Sequence, residues 1–310
     1  MKKMTQKNQK VWLDFGNTNQ SIFISGSGRS GTTWLQEIIN YNNQYRILFE
    51  PFHKHYVPLL QHWAYRQYIR PDSREKKYIV PATKILSGKI RNEWIDKDNG
   101  KKITNKRIIK DIRTQFLLKW LNSVFPRVPI IMIMRHPCAV ANSKLALGWN
   151  SQLNQHLNEL FLQKDLVTDF LEPFVKLSKS VEEDFERHIL LWCFEYFVPL
   201  SQFDKGDIFL IFYENLCINY ELEIMRLFLY LGKNYSEKIY LKHKTPSSQA
   251  MMNSAIVQGK NPINSWRMNI SDGQIKTANN ILSNFGLNKI YNQNDLPLID
   301  PDEAWSLFSN

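Results

Sequence analysis

Residues 21–34 read Ser-Ile-Phe-Ile-Ser-Gly-Ser-Gly-Arg-Ser-Gly-Thr-Thr-Trp, and this stretch decides the fold. Ile22, Phe23 and Ile24 are an apolar run suited to a buried strand. Gly26, Gly28 and Gly31, interleaved with serines and Arg29, then make a loop of small residues. Trp34, Leu35, Ile38 and Ile39 follow on one helical stripe. Strand, small-residue loop and helix together form an anion cradle. Glycines let backbone N–H groups converge, and the helix start adds its positive end. Thr32 and Thr33 contribute hydroxyl donors. Such a loop is suited to a phosphate or a sulfate.

Gly26 and Gly31 have the spacing of the nucleotide P-loop, Gly-x-x-x-x-Gly-Lys-[Ser/Thr], and Thr33 takes its last position. Thr32 stands where the lysine should be. That lysine reaches the β- and γ-phosphates, so its absence argues against an NTPase or kinase. The basic side chain here is Arg29, inside the loop.

A second junction has the same character. Pro129–Met134 reads as a fully buried strand and ends in Arg135-His136-Pro137. A helix follows to about Leu147, with Pro137 in its first turn and Gly148 as its stop. Arg135 therefore leaves the carboxyl end of a strand, where open α/β sheets bind ligands. Ser143 lies eight residues further along that helix.

The wider pattern alternates. Strands are expected at 21–25, 45–49, 106–110, 129–134 and 207–213. Helices are expected at 31–42, 113–124, 137–147 and 219–231, with a long helical region at 155–203 and an irregular C-terminal part. This predicts an α/β, P-loop-like three-layer fold: a central parallel sheet flanked by helices. No repeat or linker divides the chain. A tail at 1–19 is expected to precede one domain at 20–310, with an insert at about 52–105 and a helical cap at about 149–180. In the helix expected from Val181 to Leu200, Phe185, Ile189, Trp192 and Tyr196 form a stripe that reads as core; acceptor contact by Tyr196 is the lesser reading.

The layout Arg29-Ser30-Gly31-Thr32-Thr33-Trp34 resembles the 5′-phosphosulfate loop of sulfotransferases that use 3′-phosphoadenosine 5′-phosphosulfate (PAPS). Arg135 and Ser143 match the family's Arg and Ser for the 3′-phosphate at the same spacing. Tyr213-Glu214-Asn215-Leu216 is similar to the family's Tyr-Glu-Asp-Leu, with Asn215 for the Asp. Gln258-Gly259-Lys260 and Ser265-Trp266-Arg267 loosely resemble the late loop over the 3′-phosphate and adenine; the cytosolic Arg-Lys-Gly triplet is absent. The resemblance implies that Arg29, Ser30, Gly31, Thr32, Thr33, Trp34, Arg135, Ser143, Tyr213, Gly259 and Lys260 bind PAPS and its product PAP, with Arg267 a further phosphate contact. Trp34 would stack near the adenine or pack in the first-turn core. The implied reaction is in-line transfer of a sulfonate to a hydroxyl or amine of a small-molecule, natural-product or sugar acceptor. A P-loop kinase or NTPase and a non-catalytic PAP-binding protein are the alternatives.

Sulfonate transfer needs a stabilised leaving oxygen and a proton acceptor. The resemblance assigns the first to Arg29, where cytosolic members carry Lys; a guanidinium would act electrostatically. The cytosolic Lys-Thr-His segment is replaced by Lys110-Asp111-Ile112, so its His is missing. Phe49-Glu50-Pro51-Phe52-His53 resembles the Glu-Pro-x-x-His segment of carbohydrate sulfotransferases. Glu50 is the expected base, with partial burial raising its pKa; His53 and Asp111 are the alternatives. Lys110 would contact the sulfonate or acceptor, or simply be solvated. His53, His55, Tyr56, His62, Trp63, Tyr65 and Tyr68 suit an acceptor pocket or a surface cap.

The net charge of +11 over 310 residues suits an anionic ligand. Nucleic acid is not expected, since the Lys and Arg residues are scattered and no recognition-helix motif occurs. Lys2, Lys3, Lys7 and Lys10 read as a solvated tail. No signal-peptide pattern or apolar run of membrane-spanning length is seen, and Cys138, Cys193 and Cys217 have no metal or redox spacing. A cytoplasmic, metal-independent monomer or homodimer is the expectation.

Overall fold

Five strands lie side by side, all parallel: β1 (Ser21–Ser25), β2 (Arg46–Phe49), β3 (Arg107–Asp111), β4 (Ile130–Met134) and β5 (Phe209–Phe212). Their order across the sheet is β2-β3-β1-β4-β5. The computed structural model describes residues 13–99, 103–243, 245–250, 252 and 255–308. Every residue of the five strands is buried, as a parallel sheet covered on both faces requires. Side chains alternate between two cores. Phe23, Leu48, Ile109, Met132 and Leu210 join one, and Ile22, Ile47, Ile108, Ile131 and Ile211 join the other.

Helices form the outer layers. The second core is covered by α1 (Thr32–Ile39) and by residues of a later helix at 220–230. The first is covered by α2 (Lys76–Leu86), α3 (Leu118–Val124), α4 (Pro137–Leu145), α5 (Leu153–Phe161) and α6 (Asp184–Leu200). Next come α7 (Tyr213–Ile218) and α8 (Tyr220–Tyr230), then α9 (Asp272–Ser283) and α10 (Pro301–Ser306). This is the expected three-layer α/β architecture. Pro137 opens α4, and His136 caps it, its Nδ1 accepting from the Cys138 N–H at 3.2 Å.

Several expectations need correction. The C-terminal part is not irregular: α9 and α10 each begin with a capping box, Ser271 with Gln274 and Asp300 with Glu303. The helical region at 155–203 breaks into α5, a series of short helical pieces between 164 and 180, and α6. The helix expected from 113 starts only at Leu118, after a 3-10 turn at Gln115–Leu117. Residues 13–19 are not a tail. Leu13–Asp14 pairs in parallel with Ile103–Thr104, and the buried Asp14 carboxylate accepts from Arg107 at 2.7 and 2.9 Å and from Arg46 at 3.3 Å. That network closes the amino ends of β2 and β3. The four lysines of the basic start lie outside the described residues.

Candidate active site

Because all five strands run the same way, their carboxyl ends form one edge. In spatial order that edge presents Glu50 after β2, Lys110 and Asp111 ending β3, the glycine loop after β1, Arg135 after β4 and Tyr213 after β5. The central loop sits where the strand order changes direction, the usual ligand crevice of such sheets.

On one side of that loop the side chains converge on a cavity of about 280 Å³, lined by Arg29, Gly31, Thr32, Thr33, Trp34, Arg135, Ser143, Tyr213 and Lys260 among others. Gly31 has φ +95°, and a Cβ there would stand 2.7 Å from the Tyr213 ring. A Cβ on Gly26 would meet the Ile133 carbonyl at 2.6 Å. Only glycine lets the backbone pass so close. Arg29, also at positive φ, donates from Nε to the Ser143 hydroxyl at 3.0 Å. Arg135 donates to the Arg29 carbonyl at 3.1 Å and to the Pro262 carbonyl at 2.8 Å, and its guanidinium lies 4.2 Å from the Tyr213 ring centre. Its Nε is buried without a partner. Trp34 packs in the core edge-on to Tyr213, one of its two expected roles, and its edge reaches the cavity. Its N–H donates to the Lys242 carbonyl at 3.0 Å.

The Glu50 side is different chemistry. Lys110 Nζ donates to Glu50 Oε1 at 2.8 Å, and Arg113 Nη1 donates to Oε2 at 2.6 Å. Burial alone would raise the Glu50 pKa. The two cations outweigh it and hold the carboxyl at about 2. The expected upward shift is therefore reversed. Lys110 is buried and paired, not a solvated lysine. Asp111 is pushed up to about 6 by burial, but both its oxygens accept backbone N–H groups, from Phe52 at 2.8 Å and Arg113 at 2.9 Å. It ties two loops together. His53 is held down at about 3 by burial and Arg113. It is neutral at pH 7, packed against Tyr56 and Trp94, with Nδ1 unpartnered.

Three expected contacts fall elsewhere. Ser30 is turned inward: its N–H closes a turn on the Ser27 carbonyl at 3.0 Å and its hydroxyl meets Tyr196 at 3.1 Å. Gly259 takes a left-handed turn at φ +68° outside the cavity lining. Arg267 is committed to Asp295 and the Gln293 carbonyl, over the Trp266 ring. Two supports were not legible. The buried Tyr196 hydroxyl accepts from the Ser27 N–H at 3.0 Å and donates to the Ile133 carbonyl at 2.8 Å, so the core residue also braces the loop. Glu214 accepts from the His136 N–H at 2.9 Å and from the Tyr291 hydroxyl at 2.6 Å, fixing the ends of β4 and β5. Arg113, which shares Glu50, carried no motif signal at all.

A family model described as a sulfotransferase domain matches residues 19–281. The chain belongs to the sulfotransferase family. Its class is that of a PAPS-dependent sulfotransferase, EC 2.8.2 type. Solved structures similar to it include a mouse sulfotransferase complexed with PAP, 14% identical, covering 88% of this chain and 85% of that one, TM-score 0.43. The sulfotransferase domain from the curacin biosynthetic pathway is 14% identical, covering 89% and 98%, TM-score 0.45. A sulfotransferase from Mycobacterium avium is 11% identical, covering 89% and 78%, TM-score 0.45. No curated protein matches the chain. Among the described residues, no helix is long and apolar enough to cross a membrane.

Proposed function

We propose that this chain transfers a sulfonate from PAPS to a hydroxyl or amine of a small-molecule, natural-product or sugar acceptor, releasing PAP. The observation that carries the reading is Arg135 Nε, a buried donor without a partner at a cavity whose glycine cradle rejects any Cβ. Such a cradle beside a guanidinium with a spare N–H fits a phosphate-bearing ligand. PAPS supplies the transferable sulfonate when bound. Arg135 and Ser143 hold the 3′-phosphate, and Lys260 adds charge at the same cavity. Backbone N–H groups of the loop and the hydroxyls of Thr32 and Thr33 hold the 5′ end. Arg29 neutralises charge on the leaving oxygen and keeps its own proton.

Glu50 takes the acceptor proton, late rather than early. Group transfer of this kind passes through a loose transition state in which the incoming oxygen acquires charge only as its new bond forms. By then its proton is acidic enough for a carboxylate of low pKa. Lys110 and Arg113 hold that carboxylate in one orientation at the strand edge.

The rival nucleotide-hydrolysing reading has Thr32 against it, at the position of the phosphate-binding lysine. Melting shifts with PAP and with ATP–Mg separate the two. PAP should raise Tm, and Arg135→Ala should remove most of that rise. A rise with ATP–Mg and none with PAP overturns the proposal.

A further inference from the structure

Tyr65 is the centre of a cluster on the Glu50 side that sulfonate transfer alone does not account for. Its ring lies 4.3 Å from the His156 ring, nearly parallel at 7°, and 5.4 Å from His53. The Arg113 guanidinium is 4.9 Å from the Tyr65 ring centre and the Arg66 guanidinium 5.3 Å. Three of these neighbours carry a buried nitrogen without a partner: Arg66 Nη1, Arg113 Nε and His53 Nδ1. All three residues are more than nine-tenths buried, at 8%, 8% and 7% exposure. Buried polar nitrogens without partners are unfavourable, so three around one ring call for a ligand.

The same groups share their counter-ions. Arg66 is held by Glu195 at 3.0 Å, and Lys144 shares that carboxylate at 3.9 Å. Arg113 is held by Glu50 at 2.6 Å, and Lys110 shares it at 2.8 Å. Each of these buried carboxylates thus serves two cations. Asp111 also acts on Arg113, but its oxygens are committed to backbone N–H groups. Desolvated cations that share a counter-ion favour an incoming anion. Tyr65 and His156 are half-buried and the neighbouring His55 is exposed, so the cluster reaches solvent.

We propose that this cluster binds an anionic group of the acceptor, so that the protein sulfonates a compound already carrying a carboxylate or similar charge near its hydroxyl. The inference rests on the sulfotransferase reading above. Arg66 Nη1 and Arg113 Nε supply the hydrogen bonds, His53 Nδ1 joins them in its Nδ1–H tautomer, and the stacked Tyr65–His156 pair supplies a flat wall. A neutral acceptor could accept hydrogen bonds there but would bring no charge to balance the two guanidinium groups.

Calorimetric titration with PAP in excess tests this with two matched pairs. One is p-nitrophenyl β-D-glucuronide against p-nitrophenyl β-D-glucoside; the other is 4-hydroxyphenylacetate against its amide. The acid of at least one pair should bind about 10- to 100-fold more tightly than its neutral partner. Arg66→Gln should cut that preference to about twofold or less, with PAP affinity unchanged. Arg66→Lys keeps the charge and should keep part of the preference; it also serves if Arg66→Gln does not fold. Failure of PAP itself to bind strikes at the sulfotransferase reading and removes this inference with it. With PAP bound, equal affinity within both pairs, no binding of either acid, or a preference that survives Arg66→Gln overturns the anionic acceptor alone.

Discussion

Arg29 Nε donates to the Ser143 hydroxyl at 3.0 Å, joining the glycine loop after β1 to helix α4 after β4. The two residues are 114 positions apart in the chain. In the proposed function one serves the transferring group and the other the distant phosphate, so their bond would couple the two ends of the donor site. Ser143→Ala removes one hydrogen bond and should weaken PAP binding by a few-fold to about tenfold, with little change in Tm of the free protein. Titration of PAP checks it. Unchanged affinity would mean that the hydroxyl serves only to position Arg29.

Gly31→Ala should be far more harmful than its size suggests. The residue sits at φ +95°, and the new Cβ would press on the Tyr213 ring, itself under the Arg135 guanidinium. Strain of this kind costs about 1–3 kcal/mol. Denaturant unfolding should show that loss, and PAP binding should fall with it because Arg135 is displaced. A variant of normal stability and affinity would show that the loop is not constrained in this way.

Glu50→Gln should lower turnover by roughly 10²- to 10⁴-fold while PAP affinity stays near normal. Turnover near that of the native enzyme would exclude Glu50 as proton acceptor. The substitution also leaves Lys110 and Arg113 without their shared carboxylate, so Tm should fall as well. With the Glu50 carboxyl held at about 2, the native enzyme should show no acid limb from this group above about pH 3.

Stability should fall as the solution is acidified below about pH 6.5. His53, His156 and His188 are each held down at about 3, and His136 at about 4, by burial. The unfolded chain takes up these protons below the ordinary value of 6.5 and the folded chain does not, so protonation favours unfolding. Asp111, raised to about 6, acts in the opposite sense between about pH 6 and 4, as one group against four. His188 is buried with both ring nitrogens unpartnered. His188→Leu should recover about 1 kcal/mol at pH 5.5 and cost little at pH 7. Tm measured from pH 4 to 8 reads both; a flat native profile would contradict the assignment.

The sheet and its glycine-loop edge were written into short stretches of sequence. Ile22–Ile24, Gly26 to Gly31 and Pro129–Arg135 each carry their meaning within a few residues, because short apolar runs and glycine freedom are local properties of the chain. Glu50 and Arg135 could be placed at strand ends for the same reason. What those residues do chemically was decided by neighbours far away in the chain. Glu50 is pulled down by Lys110 and Arg113, 60 and 63 positions on. Ser30 faces Tyr196 across 166 positions, and Arg66 meets Glu195 across 129. Sequence alone predicted that burial would raise the Glu50 pKa; only the tertiary structure brought two cations within hydrogen-bond distance. Coulomb energy falls with separation in space, not along the chain, and it grows where water is excluded. Pattern therefore determined where the backbone runs, and packing determined which charges meet at its edge.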